Sequence, residues 1–488
     1  MRQYSYGSTR VRKNKDSQNF RISLNKTFIV ISALLYFGLV GHTKALPAFA
    51  RQTGQSCVAC HAGGQFPELT PYGRIFKLTG YTIGTQGNPF AAMVVADVTK
   101  NKSNTDSTSN TTIAPLNNLP IIDYGSGFIA GKVTDNLGGF VQITYSVYDK
   151  QDSNANTWQG HLGSDNTDLR YANRFISSNN DLIVGLSVNN NPGVQDVWNS
   201  VSAWGYPYVA PSGNASGFNG LPASTILDGK FSTQVAGAGA YAYLNKAIYI
   251  ELTGYQTATG FWKFLSQGNK IGDPNHPLTY TQGISPYLRV AYTHDWNEQN
   301  IMIGLIAMNA NVYALDPITN LPQFGPSTHY QDKGIDAQYQ YLLDPHTVSA
   351  HLRFVRENIN DDTGQSYVGP SRTNSIFAKI TYTYRNLYGA DIAYRSINGS
   401  PDSTAYASYT NTNAPPASPS PSSGSSNSNT PDTKLWTPEI FWLPVQNLRL
   451  GLQYNVFTQY LGTPTNYDGK NRNASDNNSA YLYAWVAF

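Results

Sequence analysis

Cys57 and Cys60 are the only two cysteines in a chain of 488 residues, and they stand in the run Cys57-Val58-Ala59-Cys60-His61. At this C-x-x-C-H spacing two thiols can add to the two vinyl groups of a haem, and the next imidazole is carried under the iron. Two other chemistries compete for the same residues. A redox dithiol usually lies at a helix start in a βαβ context, which the surrounding sequence lacks. A zinc site needs four ligands, and there is no second cysteine pair. The pattern therefore predicts one covalent haem c, bound through Cys57 and Cys60, with His61 as an axial ligand of its iron. The opposite axial position is open. Met93, Met302 and Met308 are the methionines beyond the N-terminal segment, and Met93 and His351 are the candidate distal ligands. A methionine there raises the potential of a haem.

Haem attachment of this kind takes place outside the cytoplasm, and the first 45 residues fit export. Arg10, Arg12, Lys13, Lys15, Arg21 and Lys26 make a basic leader, Phe28 to Val40 an apolar stretch, and Thr43-Lys44-Ala45 a small-residue cleavage pattern. The apolar stretch is shorter than the ~20 residues of a spanning helix. Residues 1–45 are thus read as a signal peptide. They hold eight of the 33 Lys and Arg and one of the 30 Asp and Glu, so the remainder carries 25 basic and 29 acidic residues. The apparent basicity belongs to the leader and gives no reason to expect a nucleic-acid partner.

Residues 46–88 form the cysteine-bearing segment. Pro67 can start a helix that Gly80 stops, with Leu69, Tyr72 and Phe76 on one face. A segment of about forty residues rarely buries enough surface to stand alone, so it needs a wall to dock against.

Residues 89–488 supply that wall. Only 13% of the chain is charged, against about 25% in an ordinary soluble domain, and there are 34 tyrosines. Val141, Ile143, Tyr145 and Val147 alternate with Gln142, Thr144 and Ser146. Ile376, Ala378, Ile380 and Tyr382 alternate with Phe377, Lys379, Thr381 and Thr383. Leu448, Leu450 and Leu452 alternate with Arg449, Gly451 and Gln453. One face suits lipid and the other a wet lumen. His351 alternates with Val348, Ala350 and Leu352, which puts it on the lumen side with Ser349 and Arg353.

Seven tight turns are expected, at Asp135-Asn136, Ser178-Asn179, Asn245-Lys246, Asn297-Glu298, Asp344-Pro345, Arg385-Asn386 and Gln446-Asn447. They alternate with eight longer polar stretches, near 100–120, 150–167, 190–229, 259–285, 314–332, 359–373, 398–434 and 460–478. The Trp198–Tyr208 stretch is assigned to a loop, and Pro415 to Pro431 to a Pro/Ser/Asn-rich loop tip. This rhythm predicts an all-β fold: an outer-membrane β-barrel of about sixteen strands, porin-like, with the helical haem segment docked in or against its lumen. The terminal Phe488 shares a face with Val486, Ala484 and Leu482, as in the last strand of an inserted barrel.

The run from Leu46-Pro47-Ala48-Phe49-Ala50-Arg51-Gln52-Thr53-Gly54, through the C-x-x-C-H motif, to Leu69-Thr70-Pro71-Tyr72-Gly73-Arg74-Ile75-Phe76-Lys77-Leu78-Thr79-Gly80-Tyr81 resembles the fused monohaem cytochrome c–porins of iron-oxidising bacteria. The match covers about forty residues. Beyond it the barrel agrees only in length and strand rhythm. The resemblance implies an outer-membrane oxidoreductase that takes electrons from extracellular Fe(II) through one haem c. A periplasmic cytochrome c or blue-copper protein would accept them. Asp361-Asp362 and Asp165 with Asp168 fall in expected outer loops and could meet Fe(II), though solvated loop charge is the plainer reading. The low charge also suits an acidic exterior. Two alternatives remain: a porin with a haem-bearing, redox-sensitive plug, and an electron conduit for a donor other than iron.

Overall fold

In the computed structural model the described residues are 47–64, 67–103, 117–152, 157–200, 221–270, 278–406, 428–468 and 471–488. The expected signal peptide, residues 201–208 and most of the Pro415–Pro431 tip lie outside them.

Sixteen strands follow one another in the chain: β1 (Phe90–Asn101), β2 (Ile121–Lys132), β3 (Leu137–Asp152), β4 (Thr157–Ile176), β5 (Asp181–Asn189), β6 (Val235–Leu244), β7 (Ile248–Thr257), β8 (Ser285–Trp296), β9 (Gln299–Leu315), β10 (Pro322–Leu343), β11 (His346–Asp361), β12 (Ser371–Tyr384), β13 (Tyr388–Gly399), β14 (Thr433–Val445), β15 (Leu448–Gln459) and β16 (Ser479–Ala487). Each pairs antiparallel with its neighbours in sequence, and β1 pairs with β16 to close the barrel. Closure leaves no free sheet edge, a condition for backbone that crosses a bilayer in strands. Among the described residues no helix is long and apolar enough to cross a membrane.

The seven expected turns are the seven short hairpins of one rim. At Asn245-Lys246 and at Arg385-Asn386 both central residues have φ between +53° and +54°. That is the backbone of a type I′ turn, whose twist matches that of the strands it joins. Both ends of the barrel strand run, Phe90 and Ala487, lie at this rim, since Met93 pairs with Ala487.

The side chains are sorted the opposite way from those of a soluble protein. Ile143, Leu186, Leu252, Leu305, Leu352 and Ile440 are exposed on the outer face, while Gln338, Gln340, Thr381, Thr383, Glu439 and Gln453 are buried on the inner one. An apolar exterior around a polar interior is the architecture of an outer-membrane barrel.

The strands run farther than their alternation shows. β4 has 20 residues and β10 has 22, against the ~9–11 that suffice to span a bilayer. Two expected loops, 150–167 and 314–332, are therefore largely strand. The reason is physical: past the lipid both faces are polar, so the ladder continues without an apolar signature.

The lumen is filled from two directions. At the short-turn rim sits the N-terminal segment, with helices α1 (Pro47–Thr53), α2 (Cys57–Cys60) and α3 (Pro71–Leu78). Farther in, residues 190–200 and 221–234 of the connection between β5 and β6 fold inward, and the first of these stretches carries the one-turn helix α4 (Pro192–Gln195). Val197 and Trp198 are buried against β6, β7 and β8. Leu221 packs against Ile397, Leu435 and Phe457 on the far wall. Ile226 and Leu227 donate their amides to Glu357 and Asp332 at 2.7 and 3.0 Å. The described parts of this one connection thus meet opposite sides of the barrel.

Candidate functional site

Helix α3 begins at Pro71, not at Pro67 as its proline suggested. Thr70 is the N-cap, its hydroxyl accepting from Gly73 N at 3.1 Å, and Pro71 occupies the first turn. The chain from 68 to 70 is held instead as an extended stretch. His61 pairs with Leu69 in an isolated antiparallel bridge, and Thr70 N donates to the Cys60 carbonyl at 2.9 Å. The helix ends where expected, at Gly80, with φ of +74°.

Helices α2 and α3 touch backbone to backbone. A Cβ on Gly73 would lie 2.3 Å from the carbonyl oxygen of Cys60, so only glycine allows this approach. Gln52 of α1 closes the unit. Its side-chain nitrogen donates to the carbonyls of Tyr81 and Ile83 at 2.7 and 2.9 Å, and its oxygen accepts from Lys132 N at the end of β2. Phe49 stacks on Tyr81 and meets Phe76 edge-on.

Cys57, Cys60 and His61 all line a single cavity that is partly open to solvent. Phe49, Leu69 and Phe76 of the segment form the near side, Phe128 and Phe140 of β2 and β3 the barrel side. The in-folded connection adds Gly193, Val194, Asp196 and Asn199. The Cys60 thiol is pushed up to about 11, by burial first and then by Cys57. A redox dithiol needs the reverse, a thiol whose pKa is lowered. Burial brings the His61 imidazole down to about 4, with Glu68 partly offsetting it. Its neutral form, the one that ligates a metal, is thereby favoured. Among the described residues no group of three or more His, Cys, Asp or Glu is placed to hold a metal ion, as zinc would require. Two thiols and a neutral imidazole on one wall of a largely apolar cavity could hold a covalently attached haem.

Neither candidate for the opposite axial position lines this cavity. Met93 faces inward but lies in the apolar cluster behind it, packed with Phe76, Phe128 and Phe140. His351 faces the lumen as its alternation predicted, and its Nε2 is 2.5 Å from Glu68 Oε2. Met302 and Met308 belong to wall clusters with Trp198 and with Tyr255.

The segment is bound to the barrel rather than tethered to it. Arg74 donates to Asn300 and Gln340 at 2.7 and 2.6 Å. Tyr241 donates its hydroxyl to Leu78 O at 2.7 Å. Glu68 meets both His351 and, at 3.2 Å, Lys379. Burial alone would raise the Glu68 carboxyl, but the charges of His351 and Lys379 hold it at about 2. Lys77, brought down to about 8 by burial against the pull of Asp168, lies 3.6 Å from that carboxylate.

Asp168 is a correction to the sequence reading. It is not in an outer loop but in β4, fully buried, accepting from Tyr81 Oη at 2.7 Å and paired with Arg170. Asp165 is likewise in β4 and accepts from Thr144. Of the four acids considered for iron, Asp361 is at the end of β11 and Asp362 pairs with His329 at 2.8 Å. Tyr81→Phe removes one charge-assisted bond to Asp168. It is expected to weaken docking of the segment by about 1.5–3 kcal/mol. Limited proteolysis of the folded barrel should then cut within 47–85 faster than in the parent, and equal rates would refute the assignment.

The in-folded connection is what sequence reasoning missed. Its signal was present: Val194, Val197 and Trp198 are apolar residues inside a stretch otherwise read as polar loop.

No protein-family model matches the chain, and no curated protein matches it in sequence. Among solved structures it is similar to OmpT of Vibrio cholerae, at 9% identity over 82% of this chain and 96% of that one, with a TM-score of 0.41. It is similar to OmpF of Salmonella typhi in complex with daunomycin, at 10% identity over 82% and 97%, with a TM-score of 0.44. It is also similar to the high-pH form of OprB of Pseudomonas putida, at 10% identity over 82% and 94%, with a TM-score of 0.43.

Proposed function

We propose that this chain is an outer-membrane electron carrier that oxidises extracellular Fe(II) and passes the electrons to a periplasmic cytochrome or blue-copper protein, with Cys57, Cys60 and His61 as the residues that would hold a haem c. The observation that carries the reading is the convergence of both thiols and the imidazole on one apolar cavity inside a closed barrel. When bound, the haem supplies one-electron redox chemistry that no side chain here provides. The chain's own residues do the rest. Cys57 and Cys60 would fix the attachment, and burial favours the neutral form of His61. Phe49, Phe76, Phe128 and Phe140 give the cavity an apolar lining, which raises the influence of every nearby charge.

Position argues for a periplasmic acceptor. Cys57 N lies 3.4 Å from Gln446 of a short turn, so the motif sits at the rim where periplasmic turns belong. The choice of Fe(II) rests on the resemblance of residues 46–81 to fused cytochrome–porins. The test is to mix purified holoprotein with Fe(II) and follow the absorption of reduced haem, with Cys60→Ser as control. Reduction by iron in the parent and none in the control is expected. Absence of reduction at every pH tried would remove iron as the donor.

A diffusion porin with a redox-sensitive plug is the rival. A filled lumen is what such a plug requires, so the rival is separated by function: it predicts ion conductance that responds to the redox state of the haem, and slow oxidation of Fe(II).

A further inference from the structure

We propose that Glu68 is a positioning residue for His61, and that Lys379 and His351 of the barrel wall hold it in place, so that the wall governs the axial imidazole. The inference rests on the haem reading above.

The chain doubles back between the two residues. Gly63 and Gly64 have φ of +64° and +70°, and Ala62 N donates to the Glu68 carbonyl at 2.9 Å. Residues 60–62 and 68–70 therefore run side by side, which brings the main chain of Glu68 beside His61, and the Glu68 backbone is among the groups that act on its ring. The doubled strand is also pressed on the wall: a Cβ on Gly63 would meet Thr383 Oγ1 at 2.6 Å.

The carboxylate of Glu68 points away from the cavity and into a prepared seat. Oε2 is 2.5 Å from His351 Nε2, and Oε1 is 3.2 Å from Lys379 Nζ. All three side chains are at most 4% exposed. His351 and Lys379 are register partners on β11 and β12, both facing inward. Gln338 Nε2 and Ser349 Oγ approach the same ring nitrogen, at 3.2 and 3.3 Å. Asp391 of β13 faces the same group of charges. A buried carboxylate seated between two wall residues cannot shift without stranding charge in the lumen. Its main-chain carbonyl is then fixed as well. An acceptor held against the far side of a ligating imidazole sets its tautomer, its orientation and its basicity.

The sign of the effect separates positioning from simple charge. If Glu68 and Lys379 acted only through their fields, removing the acid would raise the midpoint potential and removing the lysine would lower it. If they hold the carbonyl to the imidazole, both removals loosen the same ligand. Both then shift the potential upward, since a less basic imidazole favours the ferric state less.

The experiment uses full-length holoprotein with Glu68→Gln, Lys379→Met and Lys379→Arg, titrated optically with mediators and no iron. Barrel folding is checked by its heat-dependent electrophoretic shift. Glu68→Gln and Lys379→Met are each expected to move the redox equilibrium about tenfold in the same direction, ~59 mV for one electron. Lys379→Arg should restore it to within threefold. His351→Gln, a milder change, should move it the same way and less, and serves if Glu68→Gln fails to assemble. Unchanged midpoints in folded, haem-bearing variants would overturn the proposal, and so would shifts of opposite sign. A parent that carries haem but ignores Fe(II) would remove the iron reading and leave this test intact.

Discussion

Gly73→Val is expected to leave the barrel folded and to dislodge its N-terminal segment. The new Cβ would fall 2.3 Å from the Cys60 carbonyl oxygen, with Cys60 C and Cα at 3.1 Å. All three are backbone atoms, so no side chain can turn aside to make room. Either α3 moves off α2 or the C-x-x-C turn is distorted. Overpacking of this kind costs typically about 1–3 kcal/mol, and backbone contact places it at the upper end. Two consequences should be measured together. Protease should cut the segment in otherwise intact barrels, and covalent haem per barrel should fall severalfold. Gly127→Ala is the control, because a Cβ there meets nothing within 4 Å. Wild-type protease resistance and haem content in Gly73→Val would show that the two helices do not pack as described.

Removal of the Arg289 guanidinium should release the in-folded connection. Arg289 is fully buried, 2.6 Å from Asp336 on the wall and 3.4 Å from Asp196 on the connection. It also lies over the Trp198 ring, 5.1 Å from its centroid. Asp196 in turn accepts from the amides of Trp198 and Ser200 and from the Ser200 hydroxyl. One cation thus joins the wall to the loop. Arg289→Met would leave two carboxylates buried beside each other without it. Breaking a buried pair from one side costs about 3–5 kcal/mol, enough to favour a loop that leaves the lumen. The expected readout is ion conductance in planar bilayers, near the detection limit for the parent and several-fold higher for Arg289→Met. A parent that already conducts like an open porin would instead support the plugged-porin alternative.

What the sequence determined follows from local rules. Strand number and turn positions were legible because each short hairpin needs residues that tolerate its backbone, as at Asn245-Lys246 and Arg385-Asn386, and because lipid on one side and water on the other impose alternation. The lumen-facing placement of His351 and Lys379 came from the same period of two. The C-x-x-C-H pattern is legible because the attachment chemistry it would serve depends on the spacing of five consecutive residues.

Tertiary structure alone decided the partners. Nothing near Glu68 in sequence announces Lys379, 311 positions away. Asp168 read as loop charge because its strand runs past the lipid, where alternation carries no information. The inward course of residues 190–200 left only a faint trace, Val194, Val197 and Trp198, since the rest of a loop that turns into a polar lumen has much the same composition as one that stays in water. In each case the sequence records a residue's own preference. Only the closed barrel, by bringing distant strands around one enclosed space, determines which charges must neutralise one another there.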